Sequence, residues 1–218
     1  MKTSSERILT THVGSLPRPD DLIELNRARQ AGPSPEEPAY QARLRSAVAE
    51  VVRRQQAAGI DIPGDGEYGK AMGARVNYGA WWSYSFQRLG GLTLGSEIYR
   101  VPPRRSAPGE VRLTSFSDRR DRALFAAAYA DPDSSVTTLP RGGTAMSLPV
   151  CIGPLTYTGQ AAIAADIAHV KSALAEAGIA EGFMTSIAPA SASRIGNEHY
   201  ASDEEFLYAC ADAMREEY

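Results

Sequence analysis

The sequence predicts an α/β fold of the (β/α)8 barrel type, represented by about its first half to five-eighths. Three observations lead there. Short β-branched runs alternate with stretches of helical apolar spacing, the order that builds a parallel sheet with right-handed crossovers. Polar, glycine-rich sequences ("HVGS", "GDGEYG", "GPLTYTG" and "APASAS") follow the strand candidates, and such a barrel carries its chemistry on the loops at the C-terminal ends of its strands. Only about four strand–helix units can be counted, against the eight of a closed barrel. Neither GxGxxG nor GxxxxGK[ST] occurs, so a doubly wound nucleotide binder has no fingerprint here.

Taken in order, residues 7–15, "RILTTHVGS", read as a short strand ending at Gly14. A first helix follows, with Asp20 as its N-cap and Leu22, Ile23 and Leu25 as its apolar stripe. The loop "GPSPEEP" leads into a stronger helix over 40–58, where Leu44, Val48, Val51 and Val52 recur at helical spacing and Gly59 is the stop. "IDIPGDGEYGK" reads as a strand running into an acidic, glycine-rich loop. Residues 71–141 are an insertion or irregular excursion, rich in aromatics, arginines and prolines, with room for a β-hairpin and a helix over 121–130. The regular pattern returns with a strand over 146–152, a loop opened by Gly153-Pro154, and a helix over 161–177. That helix carries Ile163, Ile167, Val170 and Leu174 on one face and stops at Gly178. Residues 182–191 read as the next strand and loop. Ser202 and Glu205 then form a capping box for a last helix that shows no stop signal before Tyr218. The expectation is one barrel domain over 1–218, truncated at its C-terminal side.

Composition narrows the function classes. With 43% hydrophobic and 22% charged residues, a sizeable core is affordable. A net charge of -3 with interspersed signs gives no basic footprint for nucleic acid. No run approaches the ~18 apolar residues of a membrane span. "MKTSSERIL" lacks the apolar region of a signal peptide, which points to the cytoplasm. In that compartment Cys151 and Cys210 are expected as buried thiols rather than a disulfide.

Two stretches carry candidate chemistry. At the end of the first strand, Ser15 offers a hydroxyl and a backbone N–H to an anionic ligand such as a carboxylate; the same hydroxyl is also suited to capping the turn. His12 stands two residues before Gly14 and suits packing as well as chemistry. In "DGEYGK", Asp65 and Glu67 lie between glycines that permit close backbone approach, so an acid there can grip an ammonium group or simply be a solvated turn. Tyr78, Trp81, Trp82, Tyr84 and Phe86 form either a stacking face or, more commonly, packing. His169 and His199 read as a helix residue and a helix-entry residue. No CxxC, HxC or HxxxH spacing occurs, so no metal ligands are assigned within the chain. No catalytic residue is assigned either.

"TTHVGSLPRP" followed by "GIDIPGDGEYGK" resembles the cobalamin-independent methionine synthase family, in particular its shorter proteins related to the C-terminal catalytic barrel. "LPVCIGPLTYTG" and "NEHYASDEEFLYACADAMREEY" are similar to that family too. The resemblance implies a barrel that transfers a methyl or alkyl group to a thiol, with 5-methyltetrahydrofolate or another methyl donor and homocysteine as the expected partners. It implies that the turn Val13-Gly14-Ser15 holds the carboxylate of homocysteine and that Glu67 helps hold its amino group. His12 neighbours that motif without matching a functional position. The family's zinc, which deprotonates the substrate thiol, is held by a His-x-Cys pair, a glutamate and a further cysteine; none of these ligands is found in this chain. Zinc is thus the cofactor the resemblance implies, and the chain alone is expected to be weakly active or inactive. The alternatives are epoxide or alkyl transfer to another thiol such as coenzyme M, and a non-catalytic partial barrel that self-associates through an open sheet edge. A uroporphyrinogen-decarboxylase-like barrel fits the paired glycine motifs less well.

Overall fold

The computed structural model describes residues 3–30, 37–70, 84, 87–94, 107–112, 120–130 and 149–218. Its elements in order are α1 (Asp20–Gln30), α2 (Glu37–Ala57), β1 (Leu89–Leu94), α3 (Arg120–Leu124), α4 (Ala126–Ala130), β2 (Pro149–Tyr157), α5 (Gln160–Glu176), α6 (Pro189–Ala192), β3 (Gly196–Asn197) and α7 (Asp203–Met214). Most of the 71–141 excursion, the aromatics Tyr78, Trp81, Trp82 and Phe86, and the start of the strand expected at 146 lie outside the described residues. The chain forms two compact units, Met1–Tyr84 with Gln160–Ser186 and Ser85–Gly159 with Ile187–Tyr218.

The first unit is built on α2. Tyr40, Leu44, Ala47, Val48, Val51 and Val52 are buried along one face, against Leu22 of α1 and Val170 and Ala173 of α5. Each large aliphatic side chain so buried contributes about 1.5–3 kcal/mol. The helix starts at Glu37, earlier than the proline-rich spelling suggests, because Pro38 fits a first turn whose N–H groups have no helical acceptor. It stops where Gly59 takes φ 84°, and Ile60 N–H closes back on the Gln55 carbonyl at 3.0 Å. Asp20 lies inside α1 rather than capping it; the Pro19 carbonyl accepts the first helical bond from Ile23 N–H at 3.1 Å, and Asp20 and Asp21 place negative charge at the positive end of the helix. On α5 the core contact lies in the C-terminal half, at Val170 and Ala173 with Leu174 and Ala177 beside them. Ile167, expected on that face, is 38% exposed.

Three extended segments run beside these helices, joined by single parallel bridges, Thr11 to Ile62 and Gly64 to Phe183. The parallel sense matches the expectation, but the full strands expected at 7–15 and 182–191 do not form. Side chains take the groups a ladder would use. Thr11 Oγ1 donates to the Ile62 carbonyl at 2.6 Å, Asp61 accepts from Thr10 N–H at 2.9 Å and pairs with Arg7, and such local bonds compete with sheet pairing. Past Phe183 the chain turns at Pro189 into α6.

The second unit holds a three-stranded sheet in the order β1-β2-β3. It is mixed rather than uniformly parallel: β1 pairs antiparallel with β2, and β2 pairs parallel with β3. β2 also continues through Gly153-Pro154, where a loop was expected. The reason is a bulge. Gly90 pairs with Thr156 and Leu92 with Cys151, so residues 152–155 all face Gly91. Gly91 sits at φ 82°, and a Cβ there would collide with the carbonyl oxygens of Gly153 and Pro154. A bulge tolerates Pro154, which has no N–H for a ladder. The helix over 121–130 is present as α3 and α4, broken at Phe125. The capping box of α7 is observed: Ser202 Oγ accepts from Glu205 N–H at 3.1 Å, while the Glu205 carboxylate accepts from Ala201 N–H. This helix ends at Met214 rather than running on to Tyr218, and buries Phe206, Cys210, Ala213 and Met214. Among the described residues, no helix is long and apolar enough to cross a membrane.

Candidate functional site

The two glycine motifs meet in the first unit. Gly14, at φ 104°, turns the chain so that Leu16 N–H donates to the Gly66 carbonyl at 3.0 Å. Tyr68 Oη donates to the Pro17 carbonyl at 2.7 Å. The buried Arg18 guanidinium donates to the carbonyl of Glu67 and, at 3.2 Å, to that of Lys70, and lies over the Tyr68 ring. From the other side, the buried Gln55 amide holds both backbone groups of Gly64, donating to its carbonyl at 2.7 Å and accepting from its N–H at 3.0 Å. Hydrogen-bonded to both flanking segments, the acidic loop has a fixed geometry.

Glu67 is its centre. It is 2% exposed and sits at φ 60°, the only positive φ at a non-glycine residue among the described residues. That conformation carries strain and recurs at functional sites. Its carboxylate accepts from Ser15 Oγ at 2.6 Å and from Thr185 Oγ1 at 2.7 Å, and pairs with Lys70 Nζ at 3.3 Å. Burial pushes this carboxyl up, but the hydroxyls of Ser15 and Thr185 and the charge of Lys70 outweigh it, and its pKa lies below the ordinary value.

The remaining candidates take other places. Asp65 Oδ1 accepts from Glu67 N–H at 2.9 Å and so shapes the turn; burial pushes its carboxyl up, toward the neutral form. Val13 is exposed, at 65%. His12 is half-buried, its Nε2 without a hydrogen-bond partner among the described residues, and it joins none of the bonds around Glu67. Four participants went unassigned from sequence: Arg18, Gln55, Lys70 and Thr185. Lys70 stands inside the quoted motif, three residues after Glu67. Thr185 is 118 residues away in sequence and had no spacing to betray it.

No family model matches the chain. Over 62 residues it is 42% identical to a methionine synthase of Pyrococcus furiosus, a stretch that is 28% of this chain and 18% of the relative. A methionine synthase of Thermococcus kodakarensis matches at the same identity and coverage. Among solved structures, a B12-independent methionine synthase from Shewanella sp. W3-18-1, in complex with selenomethionine, superposes with a TM-score of 0.53 at 16% identity. The chain is similar to B12-independent methionine synthases. The likeness of fold covers 95% of this chain and 46% of the solved one, while the aligned stretch spans less than a fifth of the curated methionine synthases it matches.

Zinc, which the resemblance to methionine synthases implies, finds no fitting donor set among the described residues. Among the described residues no three His, Cys, Asp or Glu side chains stand close enough to hold a metal ion. The two thiols are also poor thiolate donors. Both are buried; burial pushes Cys151 up and, with the charge of Cys151 adding to it, pushes Cys210 up to about 12.

Proposed function

We propose that this chain carries the amino-acid-gripping part of a thiol methyltransferase site, within the first half to five-eighths of a methionine-synthase-like (β/α)8 barrel. The acceptor is homocysteine and the donor 5-methyltetrahydrofolate or another methyl compound. The observation that supports this reading is the junction of Ser15, Glu67 and Thr185, where a strained, buried carboxylate is held ionised at the meeting of the two glycine motifs. In this reading the backbone N–H of Ser15 serves the substrate carboxylate while its hydroxyl stays on Glu67, and Glu67 accepts from the substrate ammonium, with Val13 and Gly14 shaping the turn. Asp65 holds the loop rather than the ligand, and His12 is a neighbour. Activation of the thiol as a thiolate is left to groups other than Cys151 and Cys210.

Calorimetry of L-homocysteine with the purified chain tests the reading. Glu67→Gln and Ser15→Ala should each weaken binding about tenfold or more, the loss expected when a buried charge-assisted bond goes unmade. The chain alone, given zinc and a methyl donor, should form no methionine above background. Unchanged affinity in Glu67→Gln overturns the assignment of the grip, and robust turnover overturns the division of labour.

A further inference from the structure

The Glu67 carboxylate is already engaged on both oxygens. Its Oε2 takes the Ser15 hydroxyl, and its Oε1 takes both the Thr185 hydroxyl and the Lys70 ammonium. Lys70 is spent in the same place: Nζ donates to Glu67 Oε1 at 3.3 Å, to Thr185 Oγ1 at 2.8 Å and to the Thr185 carbonyl at 3.2 Å. The pair is shut off from solvent, with side-chain exposures of 5% for Lys70 and 3% for Glu67. The Tyr84 ring lies 5.1 Å from Nζ. A primary ammonium set among a carboxylate, a hydroxyl and a carbonyl of the described residues shows how an amino-acid ligand would be held. Here the chain's own lysine fills that position.

We propose that Lys70 is an internal stand-in for the substrate ammonium: it keeps Glu67 ionised and paired while the site is free, and an amino-acid thiol binds by displacing it. The inference rests on the amino-acid-thiol reading above and adds a regulation to it. A buried carboxylate with no cation would suffer the full cost of desolvation, so the stand-in keeps the grip formed at the expense of affinity. Entry of an ammonium trades one ion pair for another. The freed Lys70, still beside the ring of Tyr84, retains a cation–π partner. A thiol without an α-ammonium cannot make this exchange, so the device also selects the ligand class.

Calorimetry on the full chain reads the exchange directly. Lys70→Gln should bind L-homocysteine about tenfold more tightly than the wild type, because the competing charge is gone. Lys70→Arg, which keeps a cation, should bind no more tightly, and 4-mercaptobutanoate should gain nothing from either change. In the wild type, saturating L-homocysteine should raise acylation of Lys70 by an amine-reactive ester, measured by peptide mass; this arm decides if Lys70→Gln does not fold. Weaker or unchanged binding in Lys70→Gln, or a Lys70 no more reactive with ligand, overturns the stand-in. The grip reading survives that result if wild-type binding still depends on Glu67. No binding by wild type or variant overturns both.

Discussion

At the scale of single residues, Glu67 sets the balance between stability and binding. Its φ of 60° and its burial both cost free energy, and three donors offset them. The folded-state pKa below the ordinary 4.5 has a consequence for acid stability. A carboxyl that ionises more readily folded than unfolded contributes stability in full above its unfolded value, and loses it as pH falls through the folded value. Removing the charge with Glu67→Gln should therefore lower stability most near pH 7. The gap to the wild type should narrow progressively as pH falls below the ordinary 4.5, measured by urea unfolding from pH 3 to 7. Other depressed acids, Asp61 and Glu37 among them, titrate in both proteins and cancel in the comparison. A gap that stays constant with pH shows that Ser15, Thr185 and Lys70 do not stabilise the ionised form.

At the scale of elements, the sequence is legible where one local cause dominates. Leu44, Val48 and Val52 repeat at helical spacing and are buried; Ser202 and Glu205 cap α7 through bonds within four residues. It is not legible where pairing depends on distant partners. Nothing near Gly153-Pro154 says that Gly91 lies opposite to make room for a bulge. Nothing in residues 7–15 says that Asp61 and the threonines will take up the backbone groups of a strand. The site divides the same way: Ser15 and Glu67 stood out between glycines, while Thr185 did not. The bridge from Gly64 to Phe183 brings the Thr185 segment alongside the acidic loop, and it depends on a missing side chain. A Cβ on Gly64 would stand 2.6 Å from the Phe183 carbonyl oxygen, a backbone atom that cannot rotate away. Gly64→Ala should destabilise the protein by about 1–3 kcal/mol through overpacking and weaken homocysteine binding by drawing Thr185 off Glu67. Gly178→Ala is the control: it meets no atom within 4 Å and carries only the strain of its positive φ, about 1 kcal/mol. If thermal unfolding and calorimetry cannot tell the two variants apart, the close approach at Gly64 does not hold the segments together.

At the scale of the molecule, chain order and spatial order differ. Each compact unit is assembled from two separate stretches, and the first needs Gln160–Ser186 to complete what Met1–Tyr84 begins. α5 from the later stretch covers α2, with Val170 and Ala173 against Leu44, Val48 and Val52. The same stretch delivers Thr185 to Glu67 and Lys70. The α2 face is thus incomplete until the chain has passed residue 176, and the carboxylate lacks one of its two hydroxyl donors until residue 185. A chain of residues 1–159 retains α1, α2 and both glycine motifs, yet leaves that apolar face of α2 bare. Single helices owe most of their stability to such packing. Hydrogen exchange should find the amides of α2 well protected in the full chain and nearly unprotected in residues 1–159, with homocysteine binding lost alongside. Were α2 equally protected in both, its burial against α5 would contribute little, and the grip would be a local property of the first eighty residues rather than of a fold that closes late.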